Sequence, residues 1–332
     1  MKHRATGADA PESAGEKPTY SLAPLILTVV FSLLHAHASW SQTLVNPRRI
    51  AEGPANQVLV ADRTGSIVAV DMKSLETRWS AQLPDEGAPF GLATSNRLVF
   101  VGNTETKNVE VYRMIGSPHR GPELRWMYNL GHTIPGESGS IENPIDIAID
   151  RHARLVFVLD GQSKLIRVFD IKGKLLESFS PVDSSGTVLS PVSIAVDPDR
   201  REVLVGDYGD PSGFFRMSEP ARILVFDYTG APQFEIKGNG STHVTTMFAR
   251  VQGLVASGDG RIFATDPLGS RVLVLDRTNG ETLAEIGSEG SEPGFLRLPL
   301  DVFLEPKTGD LFVSNNQGAR RVEVFRGAGR QR

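Results

Sequence analysis

Residues 190–227 read SPVSIAVDPDRREVLVGDYG, then an interruption, then ARILVFD. Two short apolar runs, 194–196 and 203–205, flank an Asp-Pro-Asp turn, and a third, 223–226, follows in period-two alternation. Alternation at period two is the mark of a half-buried strand, and Asp-Pro-Asp is turn chemistry. The unit therefore predicts a three-strand antiparallel meander, which cannot bury both of its faces alone.

The same unit recurs along the chain. A proline opens the first strand at Pro47, Pro89, Pro144, Pro191 and Pro299, with Val251 in its place in the fifth copy. An Asp or Asn closes the second strand 14 to 16 residues later, at Asp62, Asn103, Asp160, Asp207, Asp266 and Asn315. The third strands end at Asp71, Arg113, Asp170, Asp227, Asp276 and Arg326, each with apolar or small side chains two and four residues earlier. Small antiparallel sheets recurring at 41 to 59 residues predict stacked blades. Six of them make a closed ring, an all-β six-bladed β-propeller of four-stranded blades.

Fourth strands are predicted at 76–83, 124–130, 175–179, 232–236 and 282–286. The sixth copy has only Gly, Ala, Arg and Gln behind Phe325, so the segment before the first copy is the expected donor that closes the ring as an N-terminal strand. Closure removes the exposed sheet edge that invites association.

The motifs P-x-x-I-A-V-D, V-x-V-x-D and R-[IV]-x-V-F-D resemble the NHL repeat, most clearly at 191–227 and at 266–276 with Arg271. Arg222 and Arg321 also sit where that repeat places its basic residue. The resemblance covers 47–326 and implies a six-bladed propeller; proteins of that architecture include sensor domains, RNA-binding domains and a peptide-amidating lyase. A more distant resemblance is to the SMP-30/gluconolactonase-like propellers, which imply a metal in the channel. The corresponding stretches here read Pro144-Ile145-Asp146 and Pro299-Leu300-Asp301, with no Glu at the start of the first copy.

Residues 1–21 are polar and rich in Pro, Ala, Gly and charge, and are expected to be a disordered leader. Residues 22–34 form an apolar run followed by Ala36-His37-Ala38, a small-x-small pattern, so 22–38 is expected to be a signal peptide hydrophobic region with its cleavage site. Such a run is too short for a bilayer core that needs about 20 residues. Contact with a membrane is expected only transiently, through this segment, and 39–332 is expected to be a single exported propeller, periplasmic or extracellular and monomeric.

The chain has no cysteine, which excludes disulfides, thiolate catalysis and Cys-ligated metal. Its net charge is −4, and the leader is charge-balanced, so no phosphate-tracking surface for nucleic acid is expected.

Loops carry function when a rigid scaffold holds them. In a four-stranded blade the connections from strand two to three, and from strand four to the next blade, share one face. The long connections 131–143, 181–190, 238–250 and 287–298 fall there, with a twelve-residue interruption at 209–220. That interruption brings Phe214, Phe215 and Arg216, hot-spot residue types, and follows Tyr208.

The position two after each opening residue forms a ring at the channel mouth: Arg49, Gly91, Asp146, Ser193, Gly253 and Asp301. Asp146 and Asp301 come from opposite blades and suit a divalent cation or an acid–base pair, although calcium wants six to eight oxygens. Arg49 neighbours Asp301 around the ring, which predicts an ion pair at the closure. His132 and His243 lie on long loops of the same face, one short of the three protein ligands zinc needs, and Ser193 has no base beside it in its repeat.

The reading is a non-catalytic binding or scaffold propeller that recognises a protein, peptide or glycan, with no cofactor and no resident metal. The ligand-binding candidates are Arg49, Asp146, Ser193, Asp301, Tyr208, Phe214, Phe215, Arg216, His132 and His243. The alternative is a metal-dependent hydrolase or lactonase at the channel mouth.

Overall fold

The computed structural model describes residues 44–84, 87–131, 140–183, 185–187, 190–209, 220–238 and 247–330. The leader and the apolar segment lie outside the described residues, as do His132, His243, Phe214, Phe215 and Arg216.

Every regular element described is a strand. Blade one is β1 (Pro47–Gly53), β2 (Gln57–Asp62), β3 (Ser66–Asp71) and β4 (Thr77–Gln82), and blade two is β5 (Pro89–Ser95), β6 (Leu98–Asn103), β7 (Asn108–Ile115) and β8 (Glu123–Leu130). Blade three is β9 (Pro144–Asp150), β10 (Leu155–Asp160), β11 (Leu165–Asp170) and β12 (Leu175–Phe179), and blade four is β13 (Pro191–Asp197), β14 (Glu202–Asp207), β15 (Arg222–Asp227) and β16 (Pro232–Lys237). Blade five is β17 (Leu254–Ala256), β18 (Arg261–Asp266), β19 (Arg271–Asp276) and β20 (Thr282–Ile286), and blade six is β21 (Pro299–Leu304), β22 (Leu311–Asn315) and β23 (Arg321–Phe325).

Each sheet runs in sequence order, antiparallel throughout. The first strands β1, β5, β9, β13, β17 and β21 contact one another in turn, and β21 returns to β1, so the sheets form the ring that the repeat predicts. β17 is the short one. Val251 stands there in place of proline, and the Gly253 N–H donates to the Thr265 hydroxyl at 2.7 Å while its carbonyl accepts from the Thr265 amide at 3.0 Å.

Blade six shows three strands among the described residues, and the expected donor segment is only partly described. Its described end seals the ring through side chains. Leu44 packs in one cluster with Val322 and Val324, the Arg320 guanidinium donates to the Val45 carbonyl at 3.0 Å, and the Asn316 amide donates to Asn46 and Pro47 at 2.8 Å each.

Six apolar clusters fill the six interfaces between blades. Leu59, Ile67 and Trp79 meet Leu92, Val101 and Tyr112 between blades one and two, and Val58, Val60 and Val68 meet Phe312 and Val322 where six meets one. The period-two alternation explains this arrangement, because successive side chains of one strand enter the two flanking interfaces. Each fully buried Val, Leu, Ile or Phe contributes about 1.5–3 kcal/mol, so the ring as a whole supplies what an isolated sheet lacks.

The residues closing the second strands are turn and loop anchors. Asp62 accepts from the Val45 and Asn46 amides, Asp160 from Glu142 and Asn143, Asp266 from Ala249 and Arg250, and Asp207 from Ser190, all at 2.7–3.1 Å. Buried arginines back three of them: Arg167 on Asp160, Arg222 on Asp207 and Arg271 on Asp266. In blade two the polarity is exchanged. Asn103 replaces the carboxylate and donates to Glu110 at 3.1 Å, so the pairing survives with the acid moved to the third strand.

Candidate functional site at the channel mouth

The channel mouth is shaped by a repeated irregularity. In blade four Pro191 pairs with Asp207 and Ser193 with Gly206, leaving Val192 without a cross-strand partner. The same slip follows Pro89, Pro144 and Pro299, and in blade one the register passes from Pro47–Asp62 to Ile50–Val60. A bulge re-aims the side chain it displaces. Here the residue after the opening proline joins the mouth, in addition to the residue two after it. The result is a shallow depression of about 10 Å³ lined by Arg48, Arg49, Phe90, Gln252 and Leu300.

Arg49 fills the floor. Its Nη2 lies 3.3 Å from Asp146 Oδ2 and its Nη1 3.5 Å from Asp301 Oδ1. The same nitrogens donate to the carbonyls of Val192 at 2.5 Å and Gln252 at 2.9 Å. One side chain from blade one thus reaches blades three, four, five and six. The carboxylates also join neighbouring blades, since Asp146 Oδ2 accepts from the Ile194 amide and Asp301 Oδ2 from the Ile50 amide, each at 2.9 Å. Gly253 makes room for this arrangement: a Cβ there would lie 2.5 Å from Asp301 Oδ1 and 2.8 Å from the Leu300 carbonyl.

Arg49, Asp146 and Asp301 are 4%, 5% and 8% exposed, so their charges interact with little screening. Burial pushes both carboxyls upward, Asp301 to about 7, with Arg49 opposing the shift in each and the charge of Asp146 adding to it in Asp301. One guanidinium balances one negative charge, which makes the second ionisation unfavourable.

The expected closure pair Arg49–Asp301 is present, but the two acids do not face each other across an open channel. Arg49 stands between them, and their remaining oxygens take backbone amides. That donor set suits a guanidinium, and it falls short of the six to eight oxygens calcium takes. Among the described residues no group of three or more His, Asp or Glu side chains is arranged to hold a metal ion.

The rim is cationic and aromatic. The guanidinium carbons of Arg48 and Arg63 lie 4.8 and 5.2 Å from the centroid of the Phe90 ring, and that of Arg250 lies 5.3 Å from the Tyr208 ring. The Tyr208 hydroxyl donates to Gln252 Oε1, and the Arg250 guanidinium donates to the Tyr208 carbonyl. Burial raises the Tyr208 hydroxyl pKa against the opposing charges of Arg49, Arg250 and Arg48. Burial, followed by the charges of Arg63 and Arg49, lowers that of Arg48. Among the described residues none of Arg48, Arg63 and Arg250 is ion-paired, and Arg48 Nε is buried without a hydrogen-bond partner.

The structure brings Arg49, Asp146, Asp301 and Tyr208 together. Ser193 belongs to the same ring but is fully buried, and a Cβ on Gly206 would meet its hydroxyl at 2.4 Å. Arg48, Arg63, Phe90, Arg250 and Gln252 were not among the expected site residues. The Arg48-Arg49 pair straight after an opening proline was the available signal for the first of them.

A second depression, of about 210 Å³, lies on the opposite face where blade six meets blade one, between Met72, Lys73, Glu305 and Arg326 among others. Its arginine is already paired, with Arg326 2.8 Å from Asp310.

The fold and the mouth define a class: a six-bladed β-propeller with an arginine-plugged channel and a guanidinium-rich rim. No protein-family model and no curated protein matches the chain. Among solved structures, hydrazine synthase from Kuenenia stuttgartiensis superposes with a TM-score of 0.60 at 12% identity, covering 90% of this chain and 99% of that one. At that identity the likeness is one of fold.

Proposed function

We propose that this chain is an exported, monomeric propeller of NHL type that serves as a non-catalytic binding module, recognising a protein, peptide or glycan with the face on which its proline-led strands begin. The observation that carries this reading is Arg49. Its guanidinium takes both channel carboxylates, so the acids that a metal-dependent hydrolase or lactonase would use are committed to joining blades. Among the described residues the guanidinium groups of Arg48, Arg63 and Arg250, which have no ion-pair partner, lie on the rim. The NHL-like motifs and the apolar segment 22–38 support the family and the export.

The absence of cysteine allows a direct test by single-site labelling. Gln317 and Lys307 are both exposed on blade six, Gln317 on the connection at the mouth face and Lys307 on the connection at the other face. Gln317→Cys and Lys307→Cys, each coupled to a bulky maleimide polymer, are compared on arrays of peptides and oligosaccharides. A ligand bound by the unlabelled chain should be lost with the label at 317 and kept with the label at 307. Lactone or ester hydrolysis that disappears in Asp146→Asn would reverse the assignment in favour of the hydrolase.

A further inference from the structure

We infer that the mouth recognises carboxylates of an acidic peptide segment through Arg48, Arg63 and Arg250. This rests on the binding-module reading and names its ligand chemistry. Arg48 lines the depression, Arg63 shares its Phe90 ring and Arg250 lies over Tyr208, three guanidinium groups in a chain of net charge −4, and none of the three has an acidic partner among the described residues. Like charges held together at a half-buried surface repel: burial lowers the pKa of Arg48 most, and the neighbouring charges of Arg63 and Arg49 lower it further. A bound anion relieves the repulsion.

The guanidinium fork matches a carboxylate in plane and spacing and binds it through two parallel hydrogen bonds. The aromatic rings orient the forks. Arg48 and Arg63 lie over Phe90, and Arg250 lies over Tyr208 with one N–H donating to the Tyr208 carbonyl, which leaves the remaining N–H groups to offer and places guanidinium groups on ring faces a sugar would stack on. The depression is shallow, and its floor is the paired Arg49, so the ligand lies across the mouth and does not enter the channel. Acidic side chains on an extended segment meet these conditions at several points along one strand of peptide.

The experiment is calorimetric titration of the whole chain with an N-acetylated, C-amidated hexaglutamate peptide. The hexaglutamine peptide, a hexamer of galacturonate and inorganic phosphate are the comparison probes. Hexaglutamate should bind, more weakly as salt rises, and hexaglutamine should not. Arg63→Gln, at an exposed position, and Arg250→Gln should each weaken binding about ten-fold, the loss expected for one charge-assisted contact, with the melting temperature unchanged. Lys307→Gln on the opposite face should have no effect. Equal affinity in the arginine variants, or no binding of hexaglutamate, overturns the inference. Tighter binding of galacturonate or phosphate than of hexaglutamate overturns the peptide assignment. If hexaglutamate fails while an arrayed ligand is still lost with the label at 317, the carboxylate inference alone falls; if labels at 317 and 307 act alike, the binding-module reading falls with it.

Discussion

Arg49 of blade one reaches across the channel to Asp146 of blade three, placing Nη2 3.3 Å from the carboxylate. The contact spans a chain separation that no local pattern encodes, and with Asp301 it turns the channel into a cross-brace for the ring. Removing one partner of a buried ion pair leaves the other charge uncompensated, which costs about 3–5 kcal/mol.

Arg49→Met should therefore destabilise the propeller by about that amount in urea unfolding at pH 8. The loss should be smaller at pH 5, where the stranded carboxyls take up protons. An equal loss at both pH values would separate Arg49 from the two acids.

The Asp301 carboxyl carries a second consequence. Its folded pKa of about 7 lies above the unfolded value of about 3.9, so the native chain keeps a proton that the unfolded chain gives up. The stability this group contributes is full below about pH 3.9 and is lost as pH rises through about 7. Asp146 shifts in the same direction. Relative to Asp301→Asn, the unfolding free energy of the parent should fall between pH 4 and pH 7. A difference that is flat or rises with pH contradicts the assignment.

A buried hydroxyl adds to the contacts between blades three and four. Tyr228 donates to Asp150 Oδ2 at 2.8 Å, and its ring lies 4.8 Å from that of Phe157. Tyr228→Phe keeps the ring contact and removes the bond to a charged acceptor, which should cost about 1.5–3 kcal/mol. Hydrogen exchange should accelerate first in β9 and β15. An unchanged melting temperature would show that Asp150, held also by the His152 and Ala153 amides, does not depend on Tyr228.

Strand positions were legible because their cause is local. The alternation at 223–226 lies within β15, the fourth strands were found within a residue or two, and the prolines mark where strands begin. The mouth was legible only in part. Arg49 and Asp301 are neighbours around the ring, so their pairing could be read from blade order. The reach of Arg49 to Asp146 depends on how narrow the channel is, which spacing does not report. Arg48 and Phe90 escaped because strict alternation assigns them away from the channel, and the bulge after each proline breaks that alternation. The stacking of Arg250 on Tyr208 joins blade five to blade four through tertiary packing alone.

A crystal structure of the chain grown with calcium and zinc in the mother liquor distinguishes an arginine-plugged channel from a metal site. The density between Asp146 and Asp301 should be the Arg49 guanidinium, with the carboxylates still accepting from the Ile194 and Ile50 amides. A metal ion ligated by Asp146 and Asp301, with Arg49 displaced from the channel, would contradict it.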